Sequence, residues 1–317
     1  MAAKLLILAL VAWGIWTTIN SARGEFAKAE LDLTVLSAPW LLLAGGVYLL
    51  GMLPMGVFWI VVLKSLGQKP QVAETLRAFY IGHLGKYVPG KAMVVVLRTG
   101  LIRSGRVDTT VAAVSVFIET LTMMAVGAFL AAVLVAVFYA HQTMLLVLAL
   151  GLMVCAGGPT IPPLFRRIVR LLKVRKANPE IENALGGLTA RVMAFGWIAN
   201  LIGWSLLGLS LWATLRAMPV ELLGDGAQKL AVFSEVFPLV TATVCLAMVA
   251  GFLSLLPGGV GVREWVLLTT LARDFGPVAA LVSAVLLRVV WLASELLLAF
   301  VLYVSVRSPK TKELGTP

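Results

Sequence analysis

The sequence predicts an all-α polytopic membrane protein with about six full spans plus two re-entrant hairpins, the halves related as inverted repeats. Three observations carry that expectation. Several apolar runs reach about 20 residues, the length that crosses roughly 30 Å of hydrocarbon. Basic residues are sorted between loops, and two similar stretches interrupt apolar segments with Pro, Gly and charge. The runs are continuous rather than alternating, and a helix satisfies its backbone groups within one segment, so helices and not a barrel are the spanning element. Of the 317 residues 60% are hydrophobic and 13% charged. In a soluble protein the formal net charge of +11 would suggest a nucleic-acid partner; here the charge first has to be located.

Spans are predicted near 4–20, 38–63, 109–138, 143–163, 193–215 and 278–306. The first runs through Trp13 and Trp16 without a clear small-residue cleavage site, which favours an uncleaved span over a signal peptide. Two more segments, 75–103 and 230–275, are apolar but interrupted. Between positions 64 and 106 stand Lys64, Lys69, Arg77, Lys86, Lys91, Arg98, Arg103 and Arg106 against Glu74 alone. Segment 166–191 is similarly basic, whereas 21–37 and 216–229 are balanced. The positive-inside bias places both basic loops, and both termini, in the cytoplasm. Most of the positive charge is thereby topological, with anionic headgroup contact secondary. In "PLFRRIVRLLKVRK" apolar residues recur at helical spacing opposite basic ones, the pattern of a helix lying along the interface. Cys155 and Cys245 lie in apolar runs and read as small buried hydrophobes.

"YVPGKAMVVVLRTGLIRSGRVDTTVAAVS" from Tyr87 and "LLPGGVGVREWVLLTTLARDFGPVAALVS" from Leu255 align as two copies of one unit. Pro89 and Gly90 match Pro257 and Gly258, a basic residue follows (Arg98, Arg263), and a turn leads into a long helix. Residues 1–317 then form one membrane domain, with half-repeats 1–140 and 141–308 and a cytoplasmic tail at 309–317. If both interrupted segments are hairpins, one enters from each side, as in many secondary transporters. Hydropathy alone instead makes 230–256 and 262–276 two crossings, giving eight; the charge of Arg263, Glu264, Arg273 and Asp274 favours the hairpin.

Pro89, Gly90 and Pro257 break helices at membrane depth, which is tolerated only where the backbone is covered by protein or faces a polar cavity. A helix restarting at "PGGVG" offers free N–H groups from Gly258, Gly259 and Gly261 and a positive dipole end, a ready site for phosphate. Arg263 would add a charge-assisted contact. The alternative is a hinge in which Arg263 and Glu264 pair with each other or a neighbour. Glu119 and Arg288 each sit eleven residues into their helices, about 16 Å along, and are expected to form an ion pair or a gate opened by substrate phosphate. Glu295 lies seven residues beyond Arg288 on the same face, and Glu235 near an outer rim. Lys86 and Lys91 flank the first break and read either as headgroup ligands or as interfacial anchors. His83 and His141 fit no metal spacing and no catalytic motif is present, so no cofactor, metal or catalytic residue is assigned.

"KYVPGKAMVVVLR", the Glu in "VFIETL", "LLPGGVGVRE" and the Arg in "LLRVVW" resemble the landmarks of the lysylphosphatidylglycerol synthetase transmembrane-region family, over nearly the whole chain. That family includes the flippase domain of multiple peptide resistance factors and stand-alone relatives. The resemblance implies a prokaryotic plasma-membrane protein that moves a phospholipid or polyprenyl-linked lipid between leaflets. It carries a binding role to Pro257, Gly258, Gly259, Gly261, Arg263 and Glu264, and to Pro89, Gly90 and Arg98. The first motif departs from the usual form, with Lys91 where a second Gly is common. Two other expectations stand beside transport. One is an enzyme of lipid or glycolipid assembly; the other is a non-catalytic subunit that positions lipid for a glycosyltransferase or synthetase.

Overall fold

Helices set the frame wherever the chain is described. The computed structural model describes residues 33–88, 92–102, 106–138, 143–157 and 185–305, with isolated positions at 13, 16, 17, 20, 24 and 167. Its helices are α1 (Ala38–Ser65), α2 (Val72–His83), α3 (Ala92–Ile102), α4 (Thr109–Phe138), α5 (Thr143–Gly157), α6 (Ala190–Arg216), α7 (Phe233–Leu253), α8 (Val262–Phe275) and α9 (Pro277–Ser305). Among the described residues five of these, α1, α4, α6, α7 and α9, are long and apolar enough to cross a membrane. They match the expected spans within three residues, α7 excepted, and α5 begins where the fourth span was expected. The expected first span, the interfacial basic helix and the tail lie outside the described residues apart from isolated positions.

Local sequence explains the helix starts. Pro39 opens α1, where a missing N–H costs nothing. The Asp108 carboxylate caps α4, accepting from the backbone N–H groups of Thr110 and Val111 at 2.9 Å each. Thr189 caps α6 through the Val192 N–H. Helices α1 and α6 form the most intimate contact in the bundle. Gly51 and Gly203 face each other there, and a Cβ on Gly203 would come within 2.8 Å of the Gly51 carbonyl.

Hydrogen bonds at the two ends of the bundle fix its direction. At one end the Ser37 N–H donates to the Ala217 carbonyl (2.9 Å), so α1 begins where α6 finishes. Trp40, Trp212 and Phe233 meet edge to face there, with Arg216 over Trp40, as in the aromatic girdle of a membrane interface. The same end holds the start of α7 and the finish of α8, tied by the Lys229–Asp274 pair at 2.6 Å. At the other end the Lys69 N–H donates to the Arg106 carbonyl, and the Asp108 N–H to the Gln68 side chain. That end gathers the finish of α1, both feet of the α2–α3 hairpin and the start of α4.

The segment 75–103 is therefore a hairpin that enters and leaves at one end. Its arms have 12 and 11 residues, about 18 and 17 Å, too short to cross. The segment 230–275 also leaves from the end where it enters, but it is asymmetric. Its first arm, α7, has 21 residues and suffices to cross, while α8 has 14 and does not. The crossing that hydropathy reads at 230–256 corresponds to α7, while the one it reads at 262–276 corresponds to α8, which is too short to cross.

Candidate functional site

The tips of the two hairpins meet. The turn Leu84–Tyr87 packs on the turn Pro257–Gly259, with Gly258 opposite the Lys86 carbonyl and the Tyr87 ring. Gly258, Gly259 and Gly261 all have positive φ (59°, 68° and 81°), which lets the chain reverse between α7 and α8 within a few residues. Gly259 is also required by space, because a Cβ there would sit 2.8 Å from both Gly251 Cα and Arg263 Nε. The Arg263 side chain lies across these two glycines. Pro89, Gly90 and Lys91, the expected break and cation of the first hairpin, lie outside the described residues.

The ion pairs correct one expectation. Glu119 does not pair with Arg288; each is held within its own half. Arg98 on α3 donates to Glu119 on α4 at 2.6 Å, and Arg288 on α9 donates to Glu264 on α8 at 2.7 Å. In both halves a short arm is thereby bolted to the long helix that follows it. The physical reason is proximity: α3 and α4, and α8 and α9, are chain neighbours packed side by side, so each charge finds its partner on the adjacent helix. Arg263 and Glu264 do not pair with each other either. Glu264 uses its second oxygen to accept from the Gly261 N–H at 2.7 Å, so this N–H of the α8 terminus is already occupied.

Arg98 is 2% and Glu119 1% exposed, and the guanidinium stacks 4.2 Å from the Phe79 ring. Neither side chain lines either cavity described below; Arg98 is sequestered beneath the first hairpin, over Gly82. Lys86 instead joins the two halves. Its ammonium binds Glu295 on α9 and donates to the Tyr48 hydroxyl at 3.3 Å. Tyr48 in turn donates to the same Glu295 oxygen and stacks on Trp291. His83 Nε2 stands 3.8 Å from that oxygen. Glu235 is exposed at the start of α7, consistent with a rim position.

Two cavities adjoin this junction. The smaller, about 30 Å³, is lined by Lys86, Tyr87, Arg263, Glu264, Arg288 and Trp291 and otherwise by apolar side chains of α7, α8 and α9, with room for about two waters. The larger, about 240 Å³, lies among α3, α4, α7 and the glycine turn, and its walls are mainly Val, Leu, Met and Phe. For scale, an apolar cavity of about 150 Å³ admits benzene. Lys86, Met248 and Arg263 border both cavities, so the chamber with the charged side chains adjoins the apolar one. Arg263 forms none of the ion pairs found among the described residues, and its Nε, although buried, has no hydrogen-bond partner. No group of His, Cys, Asp and Glu that could hold a metal occurs among the described residues.

The sequence profile of the Lysylphosphatidylglycerol synthase TM region matches residues 1–299. The chain belongs to that family. It is accordingly a multi-pass membrane protein, and the family assignment agrees with the resemblance carried by the two Pro-Gly motifs. Comparison with curated proteins gives no significant match. Tyr48, Tyr87 and Trp291 escaped the sequence reading. A usable signal existed for Tyr48, since a phenol inside an apolar span needs a hydrogen-bond partner, but no pattern indicates which residue supplies it.

Proposed function

We propose that the protein carries lipids with anionic headgroups between the leaflets of a prokaryotic plasma membrane. The headgroup sits among Lys86, Arg263 and Arg288, and one hydrocarbon chain lies in the adjoining apolar cavity. The observation that carries this reading is the adjacency of a chamber bearing three cations to a larger apolar one at the meeting of the hairpin tips, where Arg263, outside the ion pairs of the described residues, borders both. An amphiphile needs that combination: charge-assisted hydrogen bonds for a phosphate beside a dry surface for a chain. The hairpins opening at opposite ends support two halves that alternate access by rocking about the α1–α6 glycine contact. Pro257 and the glycines after it serve as the hinge of the outer hairpin.

The test is reconstitution into liposomes with fluorescent phospholipids of differing headgroup charge. The wild type is expected to move anionic lipid, and Arg263→Ala and Arg288→Ala to slow it by about tenfold or more, the loss of roughly one charge-assisted contact. Two variants as fast as wild type would refute the site assignment.

A further inference from the structure

Charge at the junction is not balanced. Three cations, Lys86, Arg263 and Arg288, face two carboxylates, Glu264 and Glu295. Arg288 and Lys86 each hold one carboxylate, which leaves Arg263 with one uncompensated positive charge. A headgroup with one negative charge neutralises the chamber. A second negative charge needs a second cation, so one of the two pairs has to open.

The two pairs differ in what opening leaves behind. Glu264 is partly exposed and keeps the Gly261 N–H if Arg288 turns away. Glu295 is 4% exposed, and its Oε2 already lacks a partner. The titratable and charged groups around it are Tyr48 from α1, His83 from α2 and Lys86 and Tyr87 from the hairpin turn, with Arg263 from α8 and Arg288 from α9 beyond Lys86. The near side of α6 contributes Ser210, bonded to Trp291, which does not titrate. Lys86 is the mobile partner, a flexible ammonium that borders both cavities. Once Lys86 leaves, a buried Glu295 carboxylate stands without a cation, a state costing several kcal/mol. Taking a proton on the free oxygen removes that cost.

We propose that the chamber admits headgroups by charge: a phosphodiester monoanion binds without a proton, whereas a phosphomonoester dianion binds together with one proton taken from solvent onto Glu295. This rests on the headgroup reading of the site. The covalent structure of the lipid is untouched, and the proton moves from water to a carboxylate oxygen that is already present.

The experiment is calorimetric titration of the purified full chain in detergent with dihexanoyl phosphatidylglycerol and dihexanoyl phosphatidic acid. It is run at about pH 8, where a phosphomonoester with a second pKa of about 6 is dianionic. Repeating each titration in buffers of different ionisation enthalpy counts the protons. The expected uptake is about zero for the first probe and about one for the second. Glu295→Gln, and the paired variant Lys86→Gln/Glu295→Gln that removes both partners together, should bring the second value to zero. Uptake that is equal for the two probes in the wild type overturns the proposal without reference to any variant. Uptake that survives both variants, or that vanishes in His83→Gln while surviving in Glu295→Gln, places the proton elsewhere and also overturns it. Binding of neither probe would instead remove the headgroup site itself, and this inference with it.

Discussion

The two halves solve one problem with opposite charges and unequal burial. In the first, the arm carries the cation and the long helix the carboxylate, Arg98 to Glu119, with side chains 3% and 1% exposed. In the second, the arm carries the carboxylate and the long helix the cation, Glu264 to Arg288, at 21% and 15%. Both fasten a short helix to the span that follows. Only the second borders the cationic chamber. Of these two pairs, the sealed one therefore holds its hairpin, while the partly exposed one stands where a ligand can reach Arg288.

Breaking the sealed pair should have the largest effect. Glu119→Ala strands the Arg98 guanidinium between Phe79 and Trp59, and a loss of about 3–5 kcal/mol is expected, read as a large drop in thermal midpoint in detergent. Replacing both partners, Arg98→Met with Glu119→Leu, should recover most of it, because a pair removed as a unit leaves no orphaned charge. If the single and double variants are equally unstable, the pair is not the bolt. The corresponding break in the second half is milder. Glu264→Gln keeps a group able to accept from the Gly261 N–H and loses the charge opposite Arg288, at about 2 kcal/mol for a charged hydrogen bond with water at hand. A cost matching that of Glu119→Ala would erase the distinction between the halves.

The first-half bolt was only half legible from the sequence. Glu119 and Arg288 stand out as mid-helix charges, and the internal repeat brings their positions into register; both facts pointed to a bond between halves. What decided otherwise is a one-turn matter of which face each arm presents. Arg98 stands nine residues after Pro89 and Glu264 seven after Pro257, and no periodicity within so short an arm fixes which face each charge occupies. Spans were legible because each is a long apolar run whose backbone has to be satisfied internally. The length of α7 was legible in the crossing that hydropathy marks at 230–256, and the charge of 262–276 told it apart from a span. The Lys86–Glu295 bond is a contact over 209 residues, and such pairing is set by tertiary packing alone.

The smallest effect tests the second half at the scale of one methyl group. Gly259 and Gly261 share a positive φ, so an alanine at either costs about 1 kcal/mol in backbone strain. Their surroundings differ. Around Gly261 a Cβ meets no atom within 4 Å, whereas at Gly259 it collides with Gly251 Cα and Arg263 Nε. Gly261→Ala should therefore lower the thermal midpoint slightly and leave Arg263 where it is. Gly259→Ala should lower it further, because its Cβ meets the Gly251 backbone, and also push Arg263 out of the chamber, weakening anionic-lipid binding in a way its sibling does not. Equal loss of binding in the two variants would mean that strain in the turn, and not the position of Arg263, governs the site. The wet half would then owe its behaviour to its backbone rather than to its exposed charges.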